Sequence, residues 1–272
     1  MFRKAAAALV LAAVLSAAGC GAAKEAKEAK AAGQEYLEAG DYAAAAAEFR
    51  KAYDNAGHAG KKYKTDLLEW LGDAQFCGGD YAGAKETYGM LAGENEKNAE
   101  FLYYLAAAEA GTEDADGALA DYRRASEQDR QHASFTTPGA LAAFRMTEQV
   151  LFDAERFTEA AELCNEEFAA GAEHPEVYNR AGMCCMAAGD YDKAREMFTK
   201  GQTVRVSGED EAAQAAEEIC GKELARNLAV LAERTGDYAG ALEAFQAWRD
   251  RYGEDPEVER EILFLTSRVS GT

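Results

Sequence analysis

Residues 189–198 read Gly-Asp-Tyr-Asp-Lys-Ala-Arg-Glu-Met-Phe, and their frame recurs along the chain. Gly-Asp-Tyr returns as Gly40-Asp41-Tyr42, Gly79-Asp80-Tyr81 and Gly236-Asp237-Tyr238. In all four copies an alanine stands three residues after the tyrosine, and an aromatic four residues further on. These are Ala45 and Phe49, Ala84 and Tyr88, Ala194 and Phe198, Ala241 and Phe245. Two weaker copies lack the opening glycine but keep part of the frame: Ala118 with Tyr122 and Ala125, and Phe157 with Ala160 and Cys164. The six alanines lie 39, 34, 42, 34 and 47 residues apart.

Each element of the frame has a physical task. Glycine followed by aspartate closes one helix and caps the next. The small alanine lets two antiparallel helices cross closely, and the aromatic one turn later fills the space against the neighbouring unit. Gly72 and Gly182, each twelve residues before the frame alanine, are the matching small residues of the preceding helix. Pro138, Pro175 and Pro256 stand just before helical stretches, where a missing N–H costs nothing. Only three prolines occur, alanine runs such as residues 43–47 favour helix, and strand-type alternation is nowhere sustained. The fold class is therefore all-α. In the longest interval, Glu211 to Ile219 is predicted helical, as is a terminal stretch from Glu257 to Val269 that covers the open end.

Two intervals of 34 residues, together with this frame, resemble the tetratricopeptide repeat family over roughly Gln34 to Trp248. The resemblance implies a right-handed superhelical solenoid of about six helix pairs plus a C-terminal capping helix. It also implies a concave face, lined by the first helix of each pair, that binds a protein or peptide partner. Repeat phase puts Glu69, Asp73 and Phe76 on that face in the second unit and Tyr103 in the third. The fourth contributes Arg145, Gln149 and Phe152, the fifth Asn179, Met183 and Met186, and the sixth Arg226 and Glu233. Aromatic, methionine and arginine side chains are enriched at interfaces. The plainer reading is that Phe76, Phe152 and the methionines only pack between units.

The N-terminus is an address. Arg3 and Lys4 precede Ala5–Ala18, an uncharged apolar run too short for a permanent membrane span but suited to a signal peptide. It ends in Leu15-Ser16-Ala17-Ala18-Gly19-Cys20, which resembles a bacterial lipobox. There the cysteine receives a diacylglyceryl group and becomes the new N-terminus. Ala17 departs from the usual leucine. The expected organisation is a lipoprotein signal peptide over residues 1–19, a lipidated N-terminus and tether over 20–32, and the helical array over 33–272. The expected location is the cell envelope, on the outer side of a bacterial membrane.

The net charge is −20, and loss of the two cations in residues 1–19 leaves −22. Such a surface repels phosphate, so nucleic acid is not an expected partner; the acidity either keeps an alanine-rich helical protein soluble or attracts a basic partner. His58, His132 and His174 are far apart, and no catalytic or phosphate-cradling motif is present. Neither metal nor cofactor is expected, and acid pairs are read as solvated helix faces. Apart from Cys20, Cys77, Cys164, Cys184, Cys185 and Cys220 form an odd set. A disulfide from Cys164 to Cys184 or Cys185 competes with buried thiols acting as small hydrophobes. Lys61, Lys62 and Lys64 read as a solvated helix start. The function expected is a membrane-anchored interaction scaffold. A role in envelope assembly, as in β-barrel insertion or pilus secretion, is the narrower alternative; an enzyme or a sugar-binding lipoprotein is the least supported.

Overall fold

The computed structural model describes residues 21–57, 59–206 and 211–271. The signal peptide, the lipobox with Cys20, and His58 lie outside the described residues. Among those described there are thirteen α-helices and no strand. No helix there is long and apolar enough to cross a membrane. The chain divides between Val150 and Leu151 into two compact units.

The first unit holds α1 (Gly21–Glu38), α2 (Tyr42–Asp54), α3 (Lys61–Cys77), α4 (Tyr81–Glu94), α5 (Ala99–Gly111) and α6 (Ala115–Gln128). A short 3₁₀ turn (His132–Ser134) follows, then α7 (Ala140–Asp153), which crosses the division. The second unit continues with α8 (Phe157–Ala169), α9 (Pro175–Ala187), α10 (Tyr191–Gly201), α11 (Glu211–Arg234), α12 (Tyr238–Tyr252) and α13 (Pro256–Ser270). The frame alanines fall on every second helix from α2 to α12.

The frame does what its chemistry implied. Ala45, Ala84, Ala118, Ala160, Ala194 and Ala241 are all completely buried, and Phe49, Tyr88, Tyr122, Phe198 and Phe245 are buried beside them. Asp41, Asp80, Asp190 and Asp237 each cap a helix, accepting a hydrogen bond from the backbone N–H three residues on. The glycine before each of them has a positive φ, between 76° and 83°. Where the frame is weak, the helix break survives without glycine: Glu113 and Glu155 take φ of 63° and 58°. Asp114 still caps α6, but Arg156 gives α8 no side-chain cap.

A Cβ on Gly72 would come within 2.8 Å of the Tyr88 ring, and one on Gly182 would meet Phe198. Gly33 stands in the same relation to Phe49, at 2.7 Å. In α5 and α11 the equivalent position is a fully buried alanine, Ala106 and Ala229.

Three boundaries refine the sequence reading. α1 begins at Gly21, so helix runs through the whole stretch read partly as a tether. Alanine, lysine and glutamate are all strong helix formers, and no proline interrupts them. α11 is 24 residues long and contains the helix expected over Glu211 to Ile219. Pro175 and Pro256 each open a helix at its first position. α13 packs Val258, Ile262 and Leu265 against Ala229, Ala241, Phe245 and Trp248.

Candidate functional site

The strongest candidate lies in the first unit, where α3 and the start of α5 face a common cleft. Leu67, Leu68 and Leu71 bury one side of α3. Glu69 and Asp73, one turn apart, remain half-buried. Together with Tyr88, Asn98, Glu100, Phe101 and Tyr104 they enclose about 370 Å³. A broader groove of about 1100 Å³ shares Glu69, Asn98, Glu100 and Phe101 and extends past Asn95, Gln131 and Thr136 to Pro138.

The cleft is rigidly framed. The Tyr88 hydroxyl donates to Oδ1 of Asp73 at 2.6 Å. Burial, with the Asp73 charge adding, holds the Tyr88 phenol well above its ordinary pKa, so it stays a donor. Its ring stacks on Tyr104 at 4.9 Å and 17°. Phe76 then meets Tyr104 edge-on at 5.9 Å and Tyr81 at 5.5 Å. Asn98 caps α5, accepting from the Glu100 N–H at 3.0 Å. Three carboxylates thus stand above an aromatic floor, and neither lysine nor arginine is among the lining residues of the smaller cleft.

Glu69 and Asp73 are thus cleft residues, and Phe76 supports the cleft from behind. Tyr103 is a correction. It is fully buried, with its ring 5.7 Å from that of Tyr122, because that side of α5 packs on α6. Its neighbours Tyr104 and Phe101 line the cleft instead. Arg145 and Gln149 are half-buried on α7 and line none of the clefts described. Phe152 packs edge-on against Phe157 at 5.0 Å.

In the second unit the candidates serve helix packing. Asn179 is buried, donating from Nδ2 to Glu223 at 3.2 Å and accepting at Oδ1 from Asn227 at 2.8 Å. Both partners sit on α11, whose unusual length carries it across α9. Met183 and Met186 pack on Ala194, Phe198, Leu224 and Leu231. Arg226 pairs with Glu257, and Glu233 is half-buried, with burial and then Glu261 raising its carboxyl pKa. None of these residues lines the three clefts described. A cleft of about 570 Å³ in the second unit is lined by others, among them Gln202, Arg205, Glu218 and Tyr252.

The cysteines and histidines resolve into structure. Cys77, Cys164, Cys184, Cys185 and Cys220 stand as thiols in the structure, with Cys164, Cys184 and Cys220 buried. Burial pushes the Cys77 thiol up to about 11, with Asp73 adding to it, and burial also raises Cys185. Protonated thiols of this kind are poor nucleophiles. His174 is buried and caps α9, its Nδ1 accepting from the Glu176 N–H at 3.2 Å. Glu176 in turn pairs with Arg180 at 2.9 Å and lies 3.6 Å from the Cys220 sulfur. Among the described residues, no three histidine, cysteine or acid side chains form a group fit to hold a metal.

A tetratricopeptide repeat family model matches residues 30–88 and 149–203. No curated protein matches the chain. Among solved structures, PilW, a widely conserved type IV pilus biogenesis factor, is similar at TM-score 0.59 and 15% identity, covering 86% of this chain and 97% of that one. Pseudomonas aeruginosa pilF is similar at 0.57 and 15%, covering 92% and 100%. The RpL4 assembly chaperone Acl4 follows at 0.55 and 18%, covering 90% and 97%. At these identities the likeness shows the fold alone: helix pairs of the tetratricopeptide type.

Proposed function

We propose that the chain is an exported, lipid-anchored scaffold that holds a segment of another protein in the groove of its first unit. The observation that carries this reading is the cleft between α3 and α5, concave, preformed and walled by fixed aromatic rings. Clefts of this size with a few converging polar groups are where recognition concentrates. The tetratricopeptide match supports a binding role rather than a catalytic one. The sequence ending at Cys20 supports the anchor, because several acyl chains on one cysteine retain a protein where one does not.

A narrower reading places the scaffold in pilus or secretion assembly. It is favoured by the likeness to PilW, a type IV pilus biogenesis factor, beside the lipobox-like terminus.

Two measurements test the proposal. Cells grown with an alkyne-tagged palmitate should label the chain and retain it in the membrane fraction. Cys20→Ser should abolish the label and release the protein. A photo-crosslinking residue at position 98 should capture a discrete partner that the same residue at Glu166, on the exposed side of α8, does not. Equal capture at both positions removes the groove from the proposal.

A further inference from the structure

We infer that one edge of the first unit lies against the anionic phospholipid surface of the membrane, with Lys27, Lys62 and Lys64 at the lipid phosphates. This edge is formed by the start of α1, the end of α2 and the start of α3. The inference rests on the Cys20 anchor proposed above and adds which face of the protein meets the bilayer.

Packing fixes the edge to the anchor. α1 begins at Gly21, the residue after Cys20, so the acyl chains attach next to a helix and not to a long spacer. At 1.5 Å per residue, Lys24 and Lys27 stand roughly 5 and 9 Å along the axis from that first residue. α1 is held in place, because Ala29 packs with Ala52 and Ala56 around the end of α2 and with Leu67 on α3. Lys30 fastens the same region: its Nζ donates to Oδ2 of Asp66 at 2.5 Å and lies 5.7 Å from the centre of the Tyr63 ring. Lys61, the first residue of α3, reaches the Glu94 carboxylate at the end of α4, at 3.5 Å. An anchor at Cys20 therefore orients the whole edge.

Charge selects what the edge can touch. Over residues 21–30 and 54–66, with Glu94, six lysines stand against five acids, whereas the whole chain sets 29 basic residues against 49 acidic ones. Three of those acids are already engaged, Glu28 by Lys24, Asp66 by Lys30 and Glu94 by Lys61. Lys27, Lys62 and Lys64 form no ion pair among the described residues, and the first two are exposed. A surface acidic elsewhere is repelled by anionic head groups, so the edge bearing unpaired lysines is the one that can approach them. The attraction acts within about 10 Å, the screening length in physiological salt, a distance the anchor enforces. Lysine meets a phosphate as a point charge without a fixed geometry, which suits a fluid lipid surface. Asn95, Lys97 and Asn98 follow Glu94 and line the wider groove, so a segment held there sits next to the bilayer.

The test is lysine footprinting. The full chain, purified with its acyl chains in detergent, is reconstituted into vesicles of phosphatidylethanolamine and phosphatidylglycerol and treated with a water-soluble acetylating reagent. Mass spectrometry then compares each lysine with the same chain in micelles. Lys27, Lys62 and Lys64 should react about fivefold more slowly on the vesicles. Lys85, near the start of α4 and so at the other end of the unit, should be unchanged, and vesicles of neutral phosphatidylcholine should give less protection. If the three lysines react as in micelles while the chain floats with the vesicles, the anchor stands and the inference is overturned. Equal protection on neutral vesicles overturns the assignment to lipid phosphates. A chain that carries no palmitate label and does not float overturns the anchor reading, and the inference with it.

Discussion

The Tyr88 side chain does two things at once: its hydroxyl holds Asp73 at 2.6 Å, and its ring occupies the space that any Cβ on Gly72 would need. The repeat crossing and the cleft therefore share one residue. Tyr88→Phe keeps the ring and removes only the bond to a charged acceptor, a loss of about 1–3 kcal/mol. Gly72→Ala overpacks the crossing and should cost about 1–3 kcal/mol, because stacking on Tyr104 prevents the ring from retreating. Gly182→Ala should behave alike through Phe198. Gly93, helical and with nothing within 4 Å of where a Cβ would stand, is the control: Gly93→Ala should stabilise by about 0.5–1 kcal/mol. Urea denaturation midpoints order the four variants. Destabilisation by Gly93→Ala equal to that by Gly72→Ala would refute the steric account.

Glu109, near the end of α5, makes stability depend on pH. Burial, with Asp121 adding to it, raises its carboxyl to about 7, and Lys85 offsets this only in part. Lys85 reaches Glu109 at 3.6 Å but is held more closely by Asp114, at 2.6 Å. Oε2 of Glu109 is buried without a hydrogen-bond partner. Because the folded state binds this proton more tightly than the unfolded chain, the contribution is fully present below the ordinary carboxylate range. It is lost as pH rises through about 7. The full effect is at most about 3 kcal/mol. Glu109→Gln cannot ionise, so the stability difference between variant and wild type should grow in the variant's favour from pH 5 to pH 8. Thermal melts at four pH values measure it. A difference that stays constant refutes the raised pKa.

The frame alanines were legible because a repeated small residue has one physical explanation, close helix crossing, and all six are fully buried. The cleft was legible only in part. Glu69 and Asp73 followed from repeat phase, but Tyr103 did not, since one residue along a helix turns the side chain by about 100° and exchanges Tyr103 for Tyr104. Asn179 misled for a different reason. A polar residue on a first helix reads as groove-facing, yet the length of α11 brings Glu223 and Asn227 over it and buries all its polar atoms in hydrogen bonds. The extent of one helix across another is not encoded in either helix's own periodicity.

The helix breaks before α6 and α8 carry strain that the other four avoid. Glu113 and Glu155 hold left-handed φ values where the Gly-Asp-Tyr copies have glycine. That conformation costs a side-chain-bearing residue about 1–2 kcal/mol, against which glycine's freedom in the unfolded chain must be set. Glu113→Gly and Glu155→Gly should each stabilise by about 0.5–1 kcal/mol. The sites lie in different compact units, so their effects should add. The converse change, Gly189→Glu, should cost a similar amount. Denaturant titration of the single and double variants decides it. Loss of stability in either glycine variant would mean that the glutamate's own contacts outweigh the backbone.

Leu263 and Leu265 stand two residues apart on α13 and differ as far as two leucines can, the first 73% exposed and the second fully buried. Only the buried one takes part in closing the array, beside Val258, Ile262 and Trp248. Leu265→Ala should therefore cost about 2–4 kcal/mol, as core truncations do. Leu263→Ser should change stability by less than about 0.5 kcal/mol. If α13 is a cap, its weakening should also loosen what it covers. Leu265→Ala should speed hydrogen exchange in α12, around Phe245 and Trp248, and leave exchange in α3 and α4 of the first unit unchanged. An equal rise in both places would mean that α13 contributes to one cooperative fold and not, as argued, to the closing of its own end.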